Sequence, residues 1–220
     1  MLRKFPLRIK PNLVYIPTPK NACTSIKSWA YQYNFGKEFK PFYLMGKCIY
    51  HIHNVYPCKK ISTSLMHEEE FVFCVVREPF LRFVSAYCNR VLYHKDISKS
   101  LLSRLRLLFY KLPLIPDIKT FVENLDVYMK VNRQIKHHFL PQTYFLGCDC
   151  NIYTRIVNIK SLDSLKTWLE GVTSTEVVFP RLQEGGKEFK DIVLSELSEK
   201  HIDIIKKYYA KDYEVFSEYL

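Results

Sequence analysis

The stretch LVYIPTPKNACTSIKSWAYQY, Leu13 to Tyr33, decides how the rest of the chain is read. Leu13 to Ile16 are consecutive apolar or aromatic residues, the pattern of a buried strand, and Pro17 and Pro19 then punctuate a turn. Thr24 or Ser25 is placed to cap a helix carrying Ile26, Trp29 and Tyr33 on one face. Strand, small-residue loop and helix in that order present helix amides to an anion, and Lys20 at the rim adds a point charge suited to phosphate. On this segment alone, an ordinary strand-to-helix turn with one surface lysine accounts for the pattern equally well.

A second segment of the same kind tips the balance. FVFCVVREPFLRFVSAYCNRV, Phe71 to Val91, begins with another apolar run of strand length, places Arg77 at its end and Pro79 in the first turn of a helix, and carries Ser85 eight residues beyond the arginine. A guanidinium fork at a strand end and a hydroxyl on the next helix suit one anion together. Two such units side by side would grip both ends of a doubly phosphorylated ligand.

PKNACTSIK resembles the 5′-phosphosulfate loop, and REPFLRFVSAY the 3′-phosphate element, of carbohydrate sulfotransferases that use 3′-phosphoadenosine 5′-phosphosulfate (PAPS), in particular the branch with chondroitin 4-O- and heparan 2-O-sulfotransferases. HFLPQTYFLGCDCNIYTRIVNIKSLDSL is similar to that family's histidine-proline-glutamine segment and following strand, and KKYYAKDYEVFSEYL to its C-terminal helix, so the likeness runs from Leu13 to Leu220. The resemblance implies that Lys20 and the segment Asn21, Ala22, Cys23, Thr24 and Ser25 hold the 5′-phosphosulfate, with Lys20 also stabilising the leaving phosphate. Arg77 and Ser85 would hold the 3′-phosphate. An H-x-H lies between the two motifs in the heparan branch, with its second histidine as proposed base, so His53 takes that place with His51 beside it. His137, His138 and Gln142 would contact the acceptor, and Lys187 or Arg181, in the loop PRLQEGGKEF, would touch the nucleotide.

From the residues themselves, His51 and His53 sit at period-two spacing in a short strand or turn over Lys47 to Asn54, so both rings would face one side. An imidazole there titrates near neutrality and suits proton removal from a sugar hydroxyl, although surface histidines fit the pattern too; His67 is a weaker candidate. Cys23 falls in the phosphate loop, where a helix end lowers a thiol pKa.

Composition sets outer bounds. The 220 residues, 48% hydrophobic and 15% aromatic with only 6 glycines and no internal repeat, read as one domain over residues 1–220. The net charge of +11 favours polyanionic partners, but there is no helix-turn-helix, zinc-finger or RRM pattern, so nucleic acid is not expected. Seven cysteines without regular spacing suit a reducing compartment, and the lone Cys148–x–Cys150 pair gives no metal site. The basic N-terminus has no apolar run fit for a signal peptide or a span, so a cytoplasmic, unanchored enzyme is expected.

Further along, KSLLSRLRLLFYKL, Lys99 to Leu112, places Leu101, Leu105, Leu108 and Leu112 on one face of a basic helix. Such a stripe ordinarily packs against its own domain; peripheral contact with an anionic membrane, or a wall of an acidic-glycan cleft, are its other uses. Asp117 to Asn132 reads as one helix with Phe121, Leu125 and Tyr128 inward, and NRQIKHHFLPQTYFLG as a loop on its residues alone. Ile152 to Ile159 suggests a strand, Ser161 to Glu170 a helix, and Leu194 to Leu220 a terminal helix followed by a shorter one.

The fold expected is α/β, a P-loop-like sandwich with a central, mainly parallel sheet flanked by helices. The reaction expected is sulfuryl transfer from PAPS to a hydroxyl of a carbohydrate or glycolipid acceptor, without metal. Two rivals stand beside it. A P-loop phosphotransferase needs G-x-x-x-x-G-K-[ST], which the chain lacks. A non-catalytic binder of acidic glycan or membrane would have lost Lys20, Arg77 or Ser85, and they are intact.

Overall fold

The computed structural model describes residues 7–10, 12–60, 70–180 and 185–220. They group into two compact units, one made of Met1–Arg77, Gln142–Gln183 and Val215–Leu220, the other of Glu78–Pro141 and Glu184–Glu214. The strands in chain order are β1 (Leu7–Ile9), β2 (Leu13–Ile16), β3 (Phe42–Leu44), β4 (Lys47–Tyr50), β5 (Phe71–Val76) and β6 (Arg155–Asn158). The helices begin with α1 (Cys23–Phe35), α2 (Ile52–Val55) and α3 (Pro79–Ala86), which runs on into a π-helical stretch over Tyr87–Tyr93. They continue with α4 (Asp96–Lys99), α5 (Leu101–Tyr110), α6 (Ile118–Glu123), α7 (Leu125–Val131), α8 (Arg133–Phe139), α9 (Gln142–Leu146), α10 (Leu162–Thr173), α11 (Lys190–Glu196), α12 (Glu199–Tyr208) and α13 (Ala210–Phe216).

The first unit is built on a four-stranded sheet in the order β1-β2-β5-β6. β2 runs parallel to β5 with Tyr15 opposite Phe73, and β5 parallel to β6 with Val75 opposite Val157; β1 alone is antiparallel. β2 and β5 are near-continuous apolar runs because both of their faces are covered, as parallel strands require. On one face Leu13, Tyr15, Phe73, Val75 and Val157 pack with Ile26, Trp29 and Ala30 of α1 and Leu165 and Leu169 of α10. Each such side chain contributes about 2 kcal/mol of burial. The result is a mixed α/β architecture whose mostly parallel sheet is flanked by helices, with the loops after β2 and β5 leaving from the same edge.

Two short strands, β1 and β3, were not foreseen. β1 is three residues, Leu7-Arg8-Ile9, too short to show a period. β3 pairs with β4, which falls within the short strand or turn expected over Lys47 to Asn54, in a hairpin whose two-residue turn, Met45 and Gly46, has positive φ at both positions, the hand that matches strand twist.

The second unit is helical. Phe83, Phe121, Tyr128, Phe139 and Tyr209 are fully buried in one cluster that draws on α3, α6, α7 and α8 and the end of α12. Arg82 is also fully buried: its guanidinium donates to the carbonyls of Leu140 (2.5 Å) and His138 (3.3 Å) at the end of α8 and lies over the Tyr209 ring. It thereby satisfies helix carbonyls that would otherwise be orphaned. Gly186, at φ 92°, passes so close to the Cys88 carbonyl that a Cβ would stand 2.7 Å from the oxygen, which explains one of the paired glycines.

Several boundaries differ from expectation. The helix foreseen over Asp117–Asn132 is two, broken at Asn124, whose Nδ2 turns back to the Thr120 carbonyl at 2.9 Å and competes with the helix ladder. The segment read as a loop contains α8, capped by Asn132 Oδ1, which accepts from the amides of Gln134 and Ile135. The terminal segment carries α11, α12 and α13 rather than two helices. The leucine stripe of α5 does not pack: Leu101, Leu105 and Leu108 face solvent, and only Leu112 of that set is half-buried on the core. No helix among the described residues is long and apolar enough to cross a membrane.

Candidate functional site

The loop after β2 turns by placing Lys20 (φ 71°) and Ala22 (φ 55°) in the left-handed region, a strained choice for residues with a Cβ, costing about 1 kcal/mol or more each. Such reversals aim successive amides inward. Ala22 is the N-cap of α1 and has no side chain with which to cap it. Thr24 and Ser25, expected as caps, lie inside the first turn instead. The Thr18 hydroxyl is fully buried in this loop with no hydrogen-bond partner among the described residues. An uncapped helix end, a nearby lysine and an unsatisfied hydroxyl together fit an anionic group.

The loop is tied to the end of β5 through a single amide. Gln142, fully buried at the start of α9, accepts at Oε1 from the Arg77 amide (3.0 Å) and donates from Nε2 to the Arg77 carbonyl (2.9 Å), as a neighbouring strand would. The same Oε1 accepts from Asn21 Nδ2 at 2.6 Å, and that nitrogen also donates to the Val75 carbonyl at 2.8 Å. The Arg77 guanidinium in turn donates through Nη1 to the Lys20 carbonyl at 3.3 Å. Thus Lys20 and Asn21 of the first motif meet Arg77 of the second within one unit.

Beneath the first turn of α1 lies a polar cluster. Lys27 is fully buried, and its Nζ donates to His53 Nδ1 (2.9 Å) and Cys58 Sγ (2.9 Å), while His53 Nε2 stands 3.1 Å from Thr24 Oγ1. An ammonium is a donor only, so Nδ1 accepts and Nε2 carries the proton, directed at Thr24. The donor atoms of Cys23, His53 and Cys58 lie within 4.8 Å of one another, and the Lys27 charge lies against two of them. The hydrogen bond from Cys58, aided by the charges of Lys27 and Lys20 and opposed by burial, brings the Cys23 thiol down to about 6. Burial, then the bond to Cys23, pushes Cys58 well up. His51 is held below the usual histidine range by burial and by Lys27.

The histidine pair reaches this place by a different route from the one expected. β4 ends at Tyr50, so the two rings are not aligned by a pleat. His51 caps the one-turn helix α2, its Nδ1 accepting from the His53 amide, and the two rings lie 4.8 Å apart.

Lys20, Asn21, Ala22, Cys23, Thr24, Ser25, His51, His53, Arg77 and Gln142 all belong to the first unit. Ser85 is half-buried on α3 of the second, where His137 and His138 occupy the last turn of α8 with rings edge-on at 5.3 Å. His138 Nδ1 is hydrogen-bonded to the Gln134 carbonyl, and Lys187 is exposed in a short 3₁₀ turn after Gly186. His67 and Arg181 lie outside the described residues. Lys27 and Cys58 were not foreseen. The available signal was spacing: Lys27 follows Cys23 by four residues and so shares its helix face.

No curated protein and no solved structure gives a significant match. The profile described as the Sulfotransferase family matches residues 5–219, nearly the whole chain. With that match over nearly the whole chain, the chain belongs to the sulfotransferase family, whose chemistry is sulfuryl transfer.

Proposed function

We propose that the protein is a PAPS-dependent carbohydrate O-sulfotransferase, with a P-loop-like donor site in the loop Lys20–Ser25 and His53 as general base. The observation that carries this is the Arg77–Lys20 contact, which brings the hallmark residues of the two motifs to one edge of a parallel sheet. Ligands of open α/β sheets lie at the carboxyl ends of strands, where these residues stand. PAPS, when bound, supplies the activated sulfuryl group. Lys20 and the first amides of α1 would hold its 5′-phosphosulfate and stabilise the charge that develops as the sulfur–oxygen bond breaks. Arg77 would bind the 3′-phosphate and so select PAPS over ATP. The parts the resemblance gives to Ser85, Lys187, His137 and His138 rest on the motifs alone.

His53 is preferred as base because its Nε2 faces the donor loop through Thr24. Taking a proton at Nε2 requires the other tautomer, with Nδ1 protonated and Lys27 turned aside. Lys27 as placed therefore holds the ring in its resting tautomer, and releasing Nδ1 is what would ready His53 as base. Gln142 is better read as the strut of the site than as an acceptor contact, since its amide is spent on Asn21 and Arg77. The net charge of +11 suits an anionic sugar acceptor, and seven cysteines without regular spacing suit a reducing, cytoplasmic setting.

Calorimetry with adenosine 3′,5′-bisphosphate, adenosine 5′-monophosphate and ATP, followed by transfer of ³⁵S from labelled PAPS to a glycan array, tests the reading. It expects preferential binding of the bisphosphate and label in a carbohydrate. Equal affinity for ATP would overturn the donor assignment, and label confined to non-carbohydrate hydroxyls the acceptor class.

A further inference from the structure

Helix α5 is built inside out. Leu101, Leu102, Leu105, Leu108 and Phe109 are between 52% and 88% exposed, whereas its most buried residues are Ser103 and Leu107. At 3.6 residues per turn the five exposed side chains form one continuous arc, and Arg104 and Arg106 border it on opposite sides. The orientation is locked. Ser103 Oγ, facing inward, donates to the Val131 carbonyl at 3.2 Å and lies 3.0 Å from Ser100 Oγ, and it accepts from Asn132 Nδ2 at 2.9 Å. Rotating the helix to bury its leucines would break the bonds to Val131 and Asn132 in a buried site. The exposed arc is therefore a fixed feature of the second unit.

We propose that α5 is an interfacial anchor that seats the protein on an anionic phospholipid bilayer. The choice of partner follows from charge. No acidic residue lies between Asp96 and Asp117, while Lys99, Arg104, Arg106 and Lys111 all lie within that interval. An apolar arc bordered by arginines matches a surface with a hydrocarbon interior and a phosphate rim, into which long basic side chains reach upward as the leucines sink. Ten residues make a helix of about 15 Å, half the thickness of a hydrocarbon core, so α5 would lie along the bilayer and not across it. This site is independent of the proposed reaction.

Co-sedimentation of the full chain with vesicles of phosphatidylcholine alone, and with roughly 30% phosphatidylserine added, tests it. The wild type should bind the anionic vesicles about tenfold more tightly. The double variant Leu105→Glu, Phe109→Glu should lose at least about tenfold, with unchanged circular dichroism and melting because both positions are exposed. Arg104→Gln with Arg106→Gln should lower binding to the anionic vesicles while leaving binding to neutral ones. Equal sedimentation of wild type and the Glu variant, no preference for anionic vesicles, or no sedimentation at all would overturn the proposal. So would a concentration-dependent dimer in size-exclusion chromatography that the Glu variant disperses, since the arc would then serve a second copy of the chain.

Discussion

Arg77 donates through Nη1 to the main-chain carbonyl of Lys20 at 3.3 Å, across fifty-seven residues of sequence. The contact links the loops after two adjacent parallel strands and holds the half-buried guanidinium at the carboxyl end of β5 beside the first motif.

Arg77→Ala should weaken adenosine 3′,5′-bisphosphate by about 2 kcal/mol, roughly thirtyfold, and adenosine 5′-monophosphate far less. Isothermal titration with both nucleotides reads the difference. Equal losses would remove Arg77 from the 3′-phosphate.

Lys20→Ala should reduce kcat by about a hundredfold with a smaller effect on donor Kd, because its charge matters most as the phosphate leaves. Single-turnover transfer of ³⁵S separates the two. Unchanged turnover would refute the leaving-group role.

His53→Ala should abolish transfer while nucleotide binding persists. Lys27→Met should leave binding intact and move the acidic limb of the pH–rate profile to higher pH, since removing a neighbouring cation favours a protonated imidazole. A limb that stays in place would mean that the base lies elsewhere, with His137 next to be tested.

With its pKa held at about 6, Cys23 is largely thiolate at neutral pH, and alkylation by iodoacetamide should rise with a midpoint near that value. Cys58→Ser, which offers a different donor, should shift the midpoint, and Cys58→Ala should carry it upward toward an ordinary thiol. Mass spectrometry of the peptide containing Cys23 follows the reaction. An unshifted midpoint in Cys58→Ala would show that Cys58 does not hold the thiolate.

Gln142→Leu strands the Arg77 amide and carbonyl and one bond of Asn21 in a buried site, at about 3 kcal/mol or about 9 °C in Tm. Gln142→Glu keeps the acceptor but, ionised, sets a buried carboxylate against the Arg77 carbonyl, so it should also melt below wild type and recover as falling pH protonates it. Thermal unfolding of the three proteins gives the order, and a Leu variant as stable as wild type would deny Gln142 its role as strut.

How much of this was legible follows from the range of the forces involved. β2, α1, β5 and α3 were readable because apolar runs, prolines and helical periodicity act between near neighbours, and Lys20 and Arg77 inherit their strand-end positions from those local rules. The one-helix reading of Asp117–Asn132 failed because periodicity does not register an asparagine that bonds back to its own helix. The cluster of Lys27, His53 and Cys58 depends on residues up to thirty-one apart, and its electrostatics arise from burial that no local pattern encodes. The α5 stripe shows the limit most plainly. Sequence set the amphipathic arc, whereas the hydrogen bonds of Ser103 to Val131 and Asn132, formed only on folding, decided that the arc faces outward. Local periodicity thus determined which elements form, and long-range packing alone decided which face each one buries and which side chains meet.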